Sequence, residues 1–455
     1  MKRQAVRSAL ILTSMFSLLS GYDACAQDSR QVVEPVVPPL CTTLSAALSD
    51  PAEVTYGDDK DDTRRIQTAI DNCPAGHAVK LTTHNTWSAF VSGPLQLHGG
   101  VTLLIDTGTT LYASTDPRAY DNGHHSCGSN DTVGKGCNPF ILVDHSHDDG
   151  IMGDGVIDGQ GGQHMTGKNE SWWQLSRRAQ KENDQQNVPQ FIQIDDSSNF
   201  QLYRITLRNS PKYHVVMHRV DGFTAWGVTL DTPATARNTD GIDPISSRNI
   251  TVTQSFIRAG DDNISIKSNG AIPSEQISIL HNHFYSGHGM AIGSNTDGGV
   301  RHVLVDDLTM DGTTSGLRIK SDISRGGLVT DIHYHDVCLR EIRVPFDVDT
   351  AYTHGASGSK IPEFQNIFFD HIHSLTSGKM IFQGLDSEHP MKIFMSDVVM
   401  DGYTDIDARH AHFTLGPGLV QPIPHGDDVH ISGSSGTGTA INCDNRFVAF
   451  PAKLN

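Results

Sequence analysis

The sequence predicts an all-β protein, a right-handed parallel β-helix of about ten coils with a short N-terminal capping helix. Three observations predict this fold. Strand-like segments recur at a nearly constant interval, each alternates apolar and polar residues instead of showing helical periodicity, and polar clusters recur at a similar interval. In a chain that coils with one period, residues one period apart along the sequence become neighbours in space.

The repeat is clearest at the apolar residue near the start of each strand-like segment. Successive members lie 23 to 35 residues apart: Phe200, Phe223, Ile250, Ile277, Val303, Ile332, Ile367 and Ile393. Each copy then breaks at Gly, Asn or Asp, as short strands between turns do. We expect rungs about 4.8 Å apart, with the first coils beginning near Val101 and Ile151.

The N-terminus resembles a secretory signal. Residues 1–26 combine three cations, an apolar run and the sequence Ala24-Cys25-Ala26, which favours cleavage after Ala26. We therefore expect a secreted protein, extracellular or periplasmic, whose residues 27–455 form a single β-helix domain. No later apolar run is long enough to span a bilayer.

Charge narrows the set of possible partners. The formal net charge is −18, and removing three cations and Asp23 with the signal makes it −20. A field of that sign disfavours nucleic acid and anionic membranes as partners. An acidic substrate then requires cations concentrated in its binding groove. We expect the mature chain to act as a monomer.

Six cysteines remain after cleavage, and an even number in an exported chain favours disulfides over metal ligation. Fifteen pairings are possible in principle. Our hypothesis joins the nearest partners in two local loops and ties a late coil to the tail: Cys41 with Cys73, Cys127 with Cys137, and Cys338 with Cys443.

Two segments have helical patterns. After Asp62, an apolar stripe that includes Ile66 and Ile70 predicts a helix that closes the open end of the first coil. Between Gly159 and Pro189 the repeat is interrupted, and the segment 171–175 predicts the start of a helical insertion. We expect its two tryptophans to pack rather than to stack on sugars.

Four polar clusters follow the coil period. They are Asn238-Thr239-Asp240-Gly241, Gly260-Asp261-Asp262, Gly287-His288-Gly289 and Arg318-Ile319-Lys320. The separations are 21 residues from Asp240 to Asp261, 26 from Asp262 to His288 and 30 from His288 to Arg318. Each cluster should lie about one coil beyond the last, which makes a ladder of charged side chains along one groove.

Similar motifs elsewhere need a simpler explanation. Asp-Asp pairs are common in this chain, and residues 295–298 repeat the first tetrad letter for letter. Because Asp-Gly steps are ordinary turn chemistry, we expect Asp297 to lie in a turn. The polar segment His145 to Asp149 could bind a metal, but such a segment is more often simply solvated.

The ladder has the residue types that glycoside hydrolysis needs. One carboxylic acid must protonate the leaving oxygen while another, ionised, activates water. Like charges packed together raise one pKa and so supply the acid near neutral pH. Arg318 and Lys320 face the same side of a strand, where paired cations suit a sugar carboxylate. The predicted substrate is a polyuronide.

At these four clusters the sequence resembles the polygalacturonases of glycoside hydrolase family 28, whose signatures are Asn-Thr-Asp, Gly-Asp-Asp, Gly-His-Gly and Arg-Ile-Lys. The likeness is greatest to secreted bacterial endopolygalacturonases, through residues 235–244, 316–322 and 171–173. It implies a β-helix that hydrolyses α-1,4-galacturonosyl linkages of polygalacturonate or pectin with inversion. It implies no cofactor and no metal.

The resemblance also implies roles for individual residues. Asp261 would be the general acid, Asp240 and Asp262 would hold and activate water, and His288 would tune the acid. The residues expected to bind substrate are Asn238, Arg318, Lys320 and Tyr352. Carboxylates one rung apart, however, are only about 5 Å from each other, a spacing more typical of retention than of inversion.

Alternatives remain on the same scaffold. An exo-polygalacturonase or a rhamnogalacturonan hydrolase would share the coils, although the absence of a long insertion between Asp240 and Lys320 favours a groove open at both ends and internal cleavage. A pectate lyase would use calcium and a basic residue to abstract a proton. A non-catalytic polysaccharide-binding β-helix would have no use for three stacked acids.

Overall fold

The computed structural model describes residues 27–451 except 55–56, 58–59 and 403. The predicted signal peptide, residues 1–26, lies outside the described residues. The fold is a right-handed parallel β-helix, in which nearly all strands join one 31-stranded parallel network. Among the described residues, no helix combines the length and apolar character needed to cross a bilayer.

The strands, numbered in chain order, stack on three faces of the coil. The first face contains β4 (Leu95–Leu97), β8 (Ile141–Asp144), β12 (Ile192–Asp195), β15 (Val215–His218), β18 (Ile242–Ile245), β21 (Ile264–Ser268), β23 (Met290–Thr296), β25 (Ser315–Lys320), β27 (Val344–Asp349), β29 (Gly378–Gln383) and β31 (Thr404–Leu415).

The second face contains β1 (Leu40–Ser45), β2 (His77–Thr82), β5 (Val101–Ile105), β9 (Gly150–Met152), β13 (Ser198–Tyr203), β16 (Asp221–Trp226), β19 (Arg248–Thr253), β22 (Ser274–Phe284), β24 (Val300–Asp311), β26 (Leu328–Arg340), β28 (Glu363–Ser374), β30 (Met391–Met400) and β33 (Asp427–Gly433). From β22 to β30 the strands are long and turn the corner onto the third face. That face also contains β3 (Ala89–Ser92), β6 (Thr110–Ala113), β10 (Val156–Asp158), β14 (Thr206–Arg208), β17 (Thr229–Asp231), β20 (Phe256–Arg258) and β32 (Val420–Gln421).

The remaining elements lie outside the coils. They are a 3₁₀ helix (Pro51–Glu53), α1 (Thr63–Asp71), α2 (Pro117–Tyr120), α3 (Trp172–Glu182) and the antiparallel pair β7 (Asn130–Asp131) and β11 (Gln185–Gln186). Helix α1 buries Ile66 and Ile70 completely and packs against β4. It is the predicted cap, and it keeps water from the apolar end of the first coils.

The predicted repeat is confirmed as a continuous column inside the coil. Phe200 pairs with Phe223 and Phe223 with Ile250, and the register continues through the other repeat positions to Ile367 and Ile393. All eight side chains are at most 1 % exposed. Each coil therefore buries its apolar face against the coils above and below it.

The predicted start of the coil is wrong. We expected the first coils near Val101 and Ile151, but β1 and β2 already stack in register below β5. Their sequences carry the same alternating pattern over only a few residues, and the repeat is less regular there because α1 lies between these two strands. The coil therefore begins near Leu40.

The three disulfides join the predicted partners: Cys41 with Cys73, Cys127 with Cys137, and Cys338 with Cys443. The predicted insertion also forms a helix, α3, whose capping box is made by Ser171 and Gln174. Trp172 at its start is fully buried. Trp173 donates from Nε1 to the backbone oxygen of Ser210 at 2.9 Å, so both tryptophans fix the insertion to the coil.

Candidate active site

The carboxylates of the ladder lie just before two consecutive strands of the first face. Ile242 of β18 pairs with Ile264 of β21, and Asp240 and Asp262 each stand two residues earlier. They therefore occupy matching positions on neighbouring coils. The amide of Gly241 donates to the backbone oxygen of Asp262 at 2.9 Å, which fixes this register. Residues about one coil length apart in the sequence are therefore neighbours in space, as predicted.

His288 stands on the next coil beside the acid pair. Its amide donates to the backbone oxygen of Asp261 at 2.9 Å. Its Nδ1 atom is 3.0 Å from Oδ1 of Asp261 and 3.9 Å from Oδ1 of Asp262. The imidazole side chain is 39% exposed, so it approaches both carboxylates and still reaches solvent.

The predicted cations complete the ladder from β25. Lys320 Nζ lies 2.7 Å from Oδ2 of Asp262, and Arg318 Nη1 lies 3.4 Å from Oδ1 of the same residue. Arg318 Nε is also 2.9 Å from Oδ2 of Asp347. The ring of Tyr352, which is 41 % exposed, lies 5.3 Å from both cationic groups. Tyr352 is thus an exposed ring beside the two cations.

The glycines of these motifs are required by close backbone contacts. A Cβ atom on Gly260 would lie 2.0 Å from the backbone oxygen of Ala236. Gly289 has φ +85°, and its Cβ would lie 2.2 Å from the backbone oxygen of Ser315. Neither position admits a side chain without moving the backbone that carries Asp261 or His288.

Asn238 and Thr239 hold Gly260 and Asp261 in place from the preceding coil. The buried hydroxyl of Thr239 donates to the backbone oxygen of Ala236 and accepts from the amide of Gly260. Asn238 donates from its backbone and side-chain amides to Oδ2 of Asp261, at 3.3 and 3.4 Å. In this structure the side chain of Asn238 therefore orients Asp261.

A buried ion cluster beneath Asp240 was not found by sequence reasoning. Lys267 Nζ lies 2.6 Å from Oδ2 of Asp243 and 3.3 Å from Oδ2 of Asp240. Asp243 is completely buried. The signal was present, because Lys267 follows Asp240 by 27 residues, one coil length. Search by motif missed it because Asp243, although it lies in the matching segment 235–244, is outside the four clusters, and Lys267 is outside them too.

Burial and charge raise the pKa values of this pair of acids. Desolvation, and then the charge of Asp243, raise the pKa of Asp240 well above its usual range, although Lys267 opposes them. Desolvation raises the pKa of Asp243 to about 6, again against the effect of Lys267. For Lys267, burial alone would lower the pKa, but Asp243 and Asp240 outweigh it and the pKa is raised, so this lysine stays charged.

The pKa of Asp261 is shifted in the opposite direction. Burial would raise its pKa, but the hydrogen bond and charge of His288, together with the charges of Lys320 and Lys267, outweigh burial and hold the pKa of Asp261 well below its usual range. In the free protein the pKa of Asp261 is therefore lowered while that of Asp240 is raised. This order is the reverse of what the predicted roles of the two residues require.

Three further residues next to Asp240 were also missed. Burial lowers the pKa of Lys212 to about 8 and that of His214 to about 4. The neutral His214 ring contacts the backbone oxygen of Asp240 through Nδ1 at 2.9 Å and Thr232 through Nε2 at 2.8 Å. Lys267 lies 5.2 Å from the centre of the Tyr213 ring. These residues form the floor beside Asp240.

A metal could in principle use part of the ladder. Asp261, Asp262 and His288 present ligand atoms within 4.8 Å of one another. Asp262, however, is already paired with both Lys320 and Arg318. A divalent ion there would have to displace or repel those cations, so the charge arrangement favours a site that works with its own side chains.

The two polar segments set aside in the sequence analysis, residues 295–298 and 145–149, lie outside the ladder. Asp297 lies in the turn between β23 and β24, where its carboxylate accepts from the amide of Gly270 and pairs with Lys360 at 2.7 Å. His145 is exposed and pairs with Asp144 at 2.7 Å. Asp144, His145 and Asp196 do gather ligand atoms within 4.8 Å, on coils before the ladder.

A β-helix face that stacks three carboxylates, an imidazole and two cations defines a glycoside hydrolase suited to an acidic sugar. The comparisons narrow this class. The sequence profile described as glycosyl hydrolases family 28 matches residues 76–413. The chain belongs to this family.

Individual relatives extend the comparison over most of the chain. An endo-polygalacturonase of Pectobacterium carotovorum subsp. carotovorum is 45% identical over 399 residues, 88% of this chain and 96% of the relative. A polygalacturonase of Ralstonia nicotianae is 38% identical, over 97% of each chain. The solved polygalacturonase from Erwinia carotovora ssp. carotovora superposes with TM-score 0.80 and 44% identity, covering 85% of this chain and 100% of that one.

Proposed function

We propose that this protein is a secreted endopolygalacturonase that hydrolyses α-1,4-galacturonosyl linkages of polygalacturonate and de-esterified pectin with inversion. The observation that carries the proposal is the pairing of Asp262 with Lys320 and Arg318 one coil from Asp240. This arrangement puts carboxylates beside cations that fit a uronate. The names of the relatives that are 45% and 38% identical support the same substrate.

In the proposed reaction Asp261 donates its proton to the glycosidic oxygen as the bond to the anomeric carbon breaks. A water held by Asp240 and Asp262 attacks that carbon from the opposite face, and its proton passes to the ionised carboxylate. The water supplies hydroxyl to one product, and Asp261 supplies hydrogen to the other. The carboxylate then releases the proton of water to solvent, and Asp261 regains a proton from solvent.

The reversed order of pKa values in the free protein gives the substrate a part in this mechanism. Lys320 is one of the charges that keep the pKa of Asp261 low. A galacturonate carboxylate bound to Lys320 and Arg318 neutralises part of that charge, and its own charge also favours the protonated form of Asp261. Substrate binding therefore raises the pKa of the acid at the moment when its proton is needed.

Local charge also resolves the conflict between an acidic protein and an acidic polymer. The chain carries −18 overall, yet Arg318 and Lys320 lie in the groove next to the ladder. Arg318 keeps a raised pKa because Asp262 and Asp347 outweigh the effect of burial. Tyr352 lies over both cations and would form the wall of the subsite for the bound uronate.

A calcium-dependent lyase is the main rival and fits less well. Calcium takes six to eight oxygen ligands, whereas the buried oxygens of Asp262 already face Lys320 and Arg318. A lyase would release unsaturated products that absorb ultraviolet light. We expect release of reducing ends from polygalacturonate, unchanged by EDTA, without new ultraviolet absorbance. Absorbance that rises with cleavage and disappears with EDTA would establish the lyase instead.

The acid assignment is tested by Asp261→Asn with Asp297→Asn as its matched control. The amide keeps the shape of Asp261 but cannot donate a proton, so we expect kcat to fall at least 100-fold, within the range for loss of general acid catalysis, with KM nearly unchanged. Asp297→Asn removes a carboxylate from the copy of the Asp240 tetrad at residues 295–298, outside the ladder, and should keep full activity. More than a tenth of the wild-type kcat in Asp261→Asn would contradict the assignment.

Mode and stereochemistry need separate measurements. Internal cleavage should halve the viscosity of polygalacturonate after a small percentage of bonds is cut, with mixed oligomers as early products. Monomer or dimer alone at the earliest times would instead indicate an exo-enzyme. Proton NMR of the first-formed reducing ends should show the β-anomer, the product of inversion at an α-linkage, and an α-anomer would establish retention.

We also infer that residues 27–455 form one domain and that residues 1–26 direct export. Support comes from the continuous core column and from the three disulfides, which suit an oxidising compartment. N-terminal sequencing of protein recovered from culture medium or periplasm should begin at Gln27. Protein retained in the cytosol with Met1 intact would contradict the export prediction.

A further inference from the structure

Gln186, which belongs to none of the four clusters of the ladder, is joined to the proposed acid through Asn238. Its Nε2 atom donates to Oδ1 of Asn238 at 2.9 Å. Asn238 in turn donates from Nδ2 to Oδ2 of Asp261 at 3.4 Å, and its backbone amide donates to the same oxygen at 3.3 Å. A chain of hydrogen bonds therefore runs from the helical insertion to the carboxyl group of Asp261.

The chemistry of the three groups fixes the direction of each hydrogen bond in this chain. An ionised carboxylate only accepts hydrogen bonds, so Asp261, whose pKa is held low, requires the NH2 group of the Asn238 side chain. The oxygen of that side chain then faces Gln186, and only the NH2 group of Gln186 can donate to it. If the Asn238 amide were turned over, two oxygens would meet at Asp261 and two NH2 groups would meet at Gln186.

Gln186 keeps this orientation although the oxygen of its own amide gains no partner from it. The residue is 5% exposed, and no described residue donates to its buried Oε1 atom. A buried acceptor without a donor costs stability, and such an exception in a folded protein calls for a specific explanation. The explanation here is the bond from Nε2, because turning the amide of Gln186 over would put its oxygen against the oxygen of Asn238.

The segment that carries Gln186 is anchored to a neighbouring loop. Strand β11, which contains it, pairs with β7. The next residue, Asn187, is completely buried, donates from Nδ2 to Asp131 at 2.8 Å and accepts from the amide of Gly136 at 2.7 Å. Both partners belong to the loop that the Cys127–Cys137 disulfide closes. The insertion and this loop therefore hold the side chain of Gln186 in one place.

We propose that Gln186 is a positioning residue for the general acid. By fixing the side-chain amide of Asn238, it keeps an NH2 group directed at Asp261 and so holds the carboxyl group of the acid in one orientation. This role rests on the proposed function, in which Asp261 donates its proton to the glycosidic oxygen. It gives the helical insertion a part in the reaction as well as in packing.

The first test is Gln186→Met, with Gln185→Met as its matched control. Methionine has nearly the length of glutamine but no NH2 group, so Asn238 loses its donor while the buried space stays filled. We expect kcat on polygalacturonate to fall about three- to tenfold, the effect of one hydrogen bond, with KM within about twofold of the wild type. Gln185 is exposed on the same strand, and its variant should keep full kcat. Full kcat in Gln186→Met as well would overturn the proposal.

A double-mutant cycle separates positioning through Asn238 from a general packing defect. In an Asn238→Ala background the side-chain amide is absent, so Gln186→Met should cause no further loss of kcat. A packing defect would instead lower kcat by the same factor in both backgrounds. That result would also overturn the proposal.

A third readout does not depend on hydrolysis. In protein labelled with nitrogen-15 in its glutamine side chains, the NMR signal of Gln186 is the one that Gln186→Met removes. Its amide protons should exchange with deuterated water more slowly than those of the exposed Gln185, because Gln186 is buried and donates to Asn238. Asp261→Asn removes the carboxylate that fixes the chain, so it should speed this exchange at least about threefold, whereas the control Asp297→Asn should not. Unchanged exchange in Asp261→Asn would contradict the proposal.

The role of Gln186 and the proposed function can fail separately. A wild-type protein that does not hydrolyse polygalacturonate would refute the proposed function, and the exchange measurement would still decide whether Gln186 orients Asn238 towards Asp261. An active wild type with additive effects in the cycle and unchanged exchange would refute the role of Gln186 alone.

Discussion

Replacing Asp243 by Asn tests the buried ion cluster beneath the ladder. Asp243 is completely buried, lies beside Asp240, and shares Lys267 with it. Its charge is the second cause, after burial, of the raised pKa of Asp240. Asp243→Asn removes that charge, so that Asp240 no longer shares Lys267 with a second carboxylate. Both changes lower the pKa of Asp240.

The magnitude follows from the geometry. Lys267 Nζ is 2.6 Å from Oδ2 of Asp243 and 3.3 Å from Oδ2 of Asp240. The two oxygens can therefore be no farther apart than the sum of these distances, about 6 Å. At an effective dielectric constant of 20, two charges at about 6 Å repel by about 2.8 kcal/mol, or about two pKa units. Asp243 itself takes up a proton near pH 6, so only part of this repulsion acts in acid.

The assay is kcat/KM on one defined oligogalacturonide as a function of pH, because this profile reports the pKa values of the free enzyme. If Asp240 must be ionised to activate water, its titration sets the acid limb. We expect Asp243→Asn to move that limb to lower pH by about one to two units. Titration of the substrate is common to both proteins and cancels in the comparison.

Stability gives a second readout with a definite sign. The pKa of Asp243 rises from 3.8 unfolded to about 6 folded, so its favourable contribution is complete below pH 3.8 and is lost by pH 6. Between pH 4 and 6 the wild type should lose about 3 kcal/mol of unfolding free energy relative to Asp243→Asn. Urea denaturation at several pH values measures this difference.

Asp231→Asn is the control, since Asp231 is a shielded carboxylate that pairs with Arg258 at 2.6 Å outside the ladder. It should leave the acid limb unchanged. An acid limb that stays in place in Asp243→Asn, or that moves to higher pH, would refute the electrostatic link between Asp243 and Asp240.

Three further outcomes are expected. Arg318→Ala and Lys320→Ala should each raise KM at least tenfold for de-esterified substrate, a loss of about 1.4 kcal/mol, and far less for highly methylated pectin, which offers little charge to pair; equal effects would make these cations structural. Gly289→Ala should lower both kcat and Tm, since its Cβ meets a backbone oxygen at 2.2 Å. Loss of the Cys338–Cys443 disulfide, which spans 105 residues, should cost about 2–4 kcal/mol of unfolding free energy with kcat unchanged.

Two controls separate these effects from general damage. Gly270 has φ +69° but open space around its Cβ position, so Gly270→Ala should cost only about 1–2 kcal/mol for the left-handed backbone and keep full kcat. Loss of the Cys127–Cys137 disulfide, with a separation of 10 residues, should destabilise less than loss of the long-range one, because a shorter loop constrains the unfolded chain less. Equal losses would argue against the loop-entropy explanation.

The sequence was most informative where the coil period constrains it. Phe200 and Ile393 could be assigned to one buried column because every residue of that column recurs once per coil. The same reasoning placed Asp240, Asp262 and His288 on successive coils before any contact was known. It failed near β1 and β2, where α1 interrupts the repeat, so the coil begins earlier than predicted.

The sequence by itself therefore determined the β-helix and the order of the ladder, because these depend on periodic burial and on which coil a residue occupies. The disulfide partners were a hypothesis among fifteen pairings that the structure confirms. Only the tertiary structure decided which neighbours each polar group has. Lys267 beneath Asp240, the low pKa of Asp261 beside His288 and the bond from Gln186 to Asn238 depend on side-chain distances within and between coils. Coulomb energies and desolvation costs change when distances change by a single ångström. The number of residues between two positions in the sequence does not give distances that precisely.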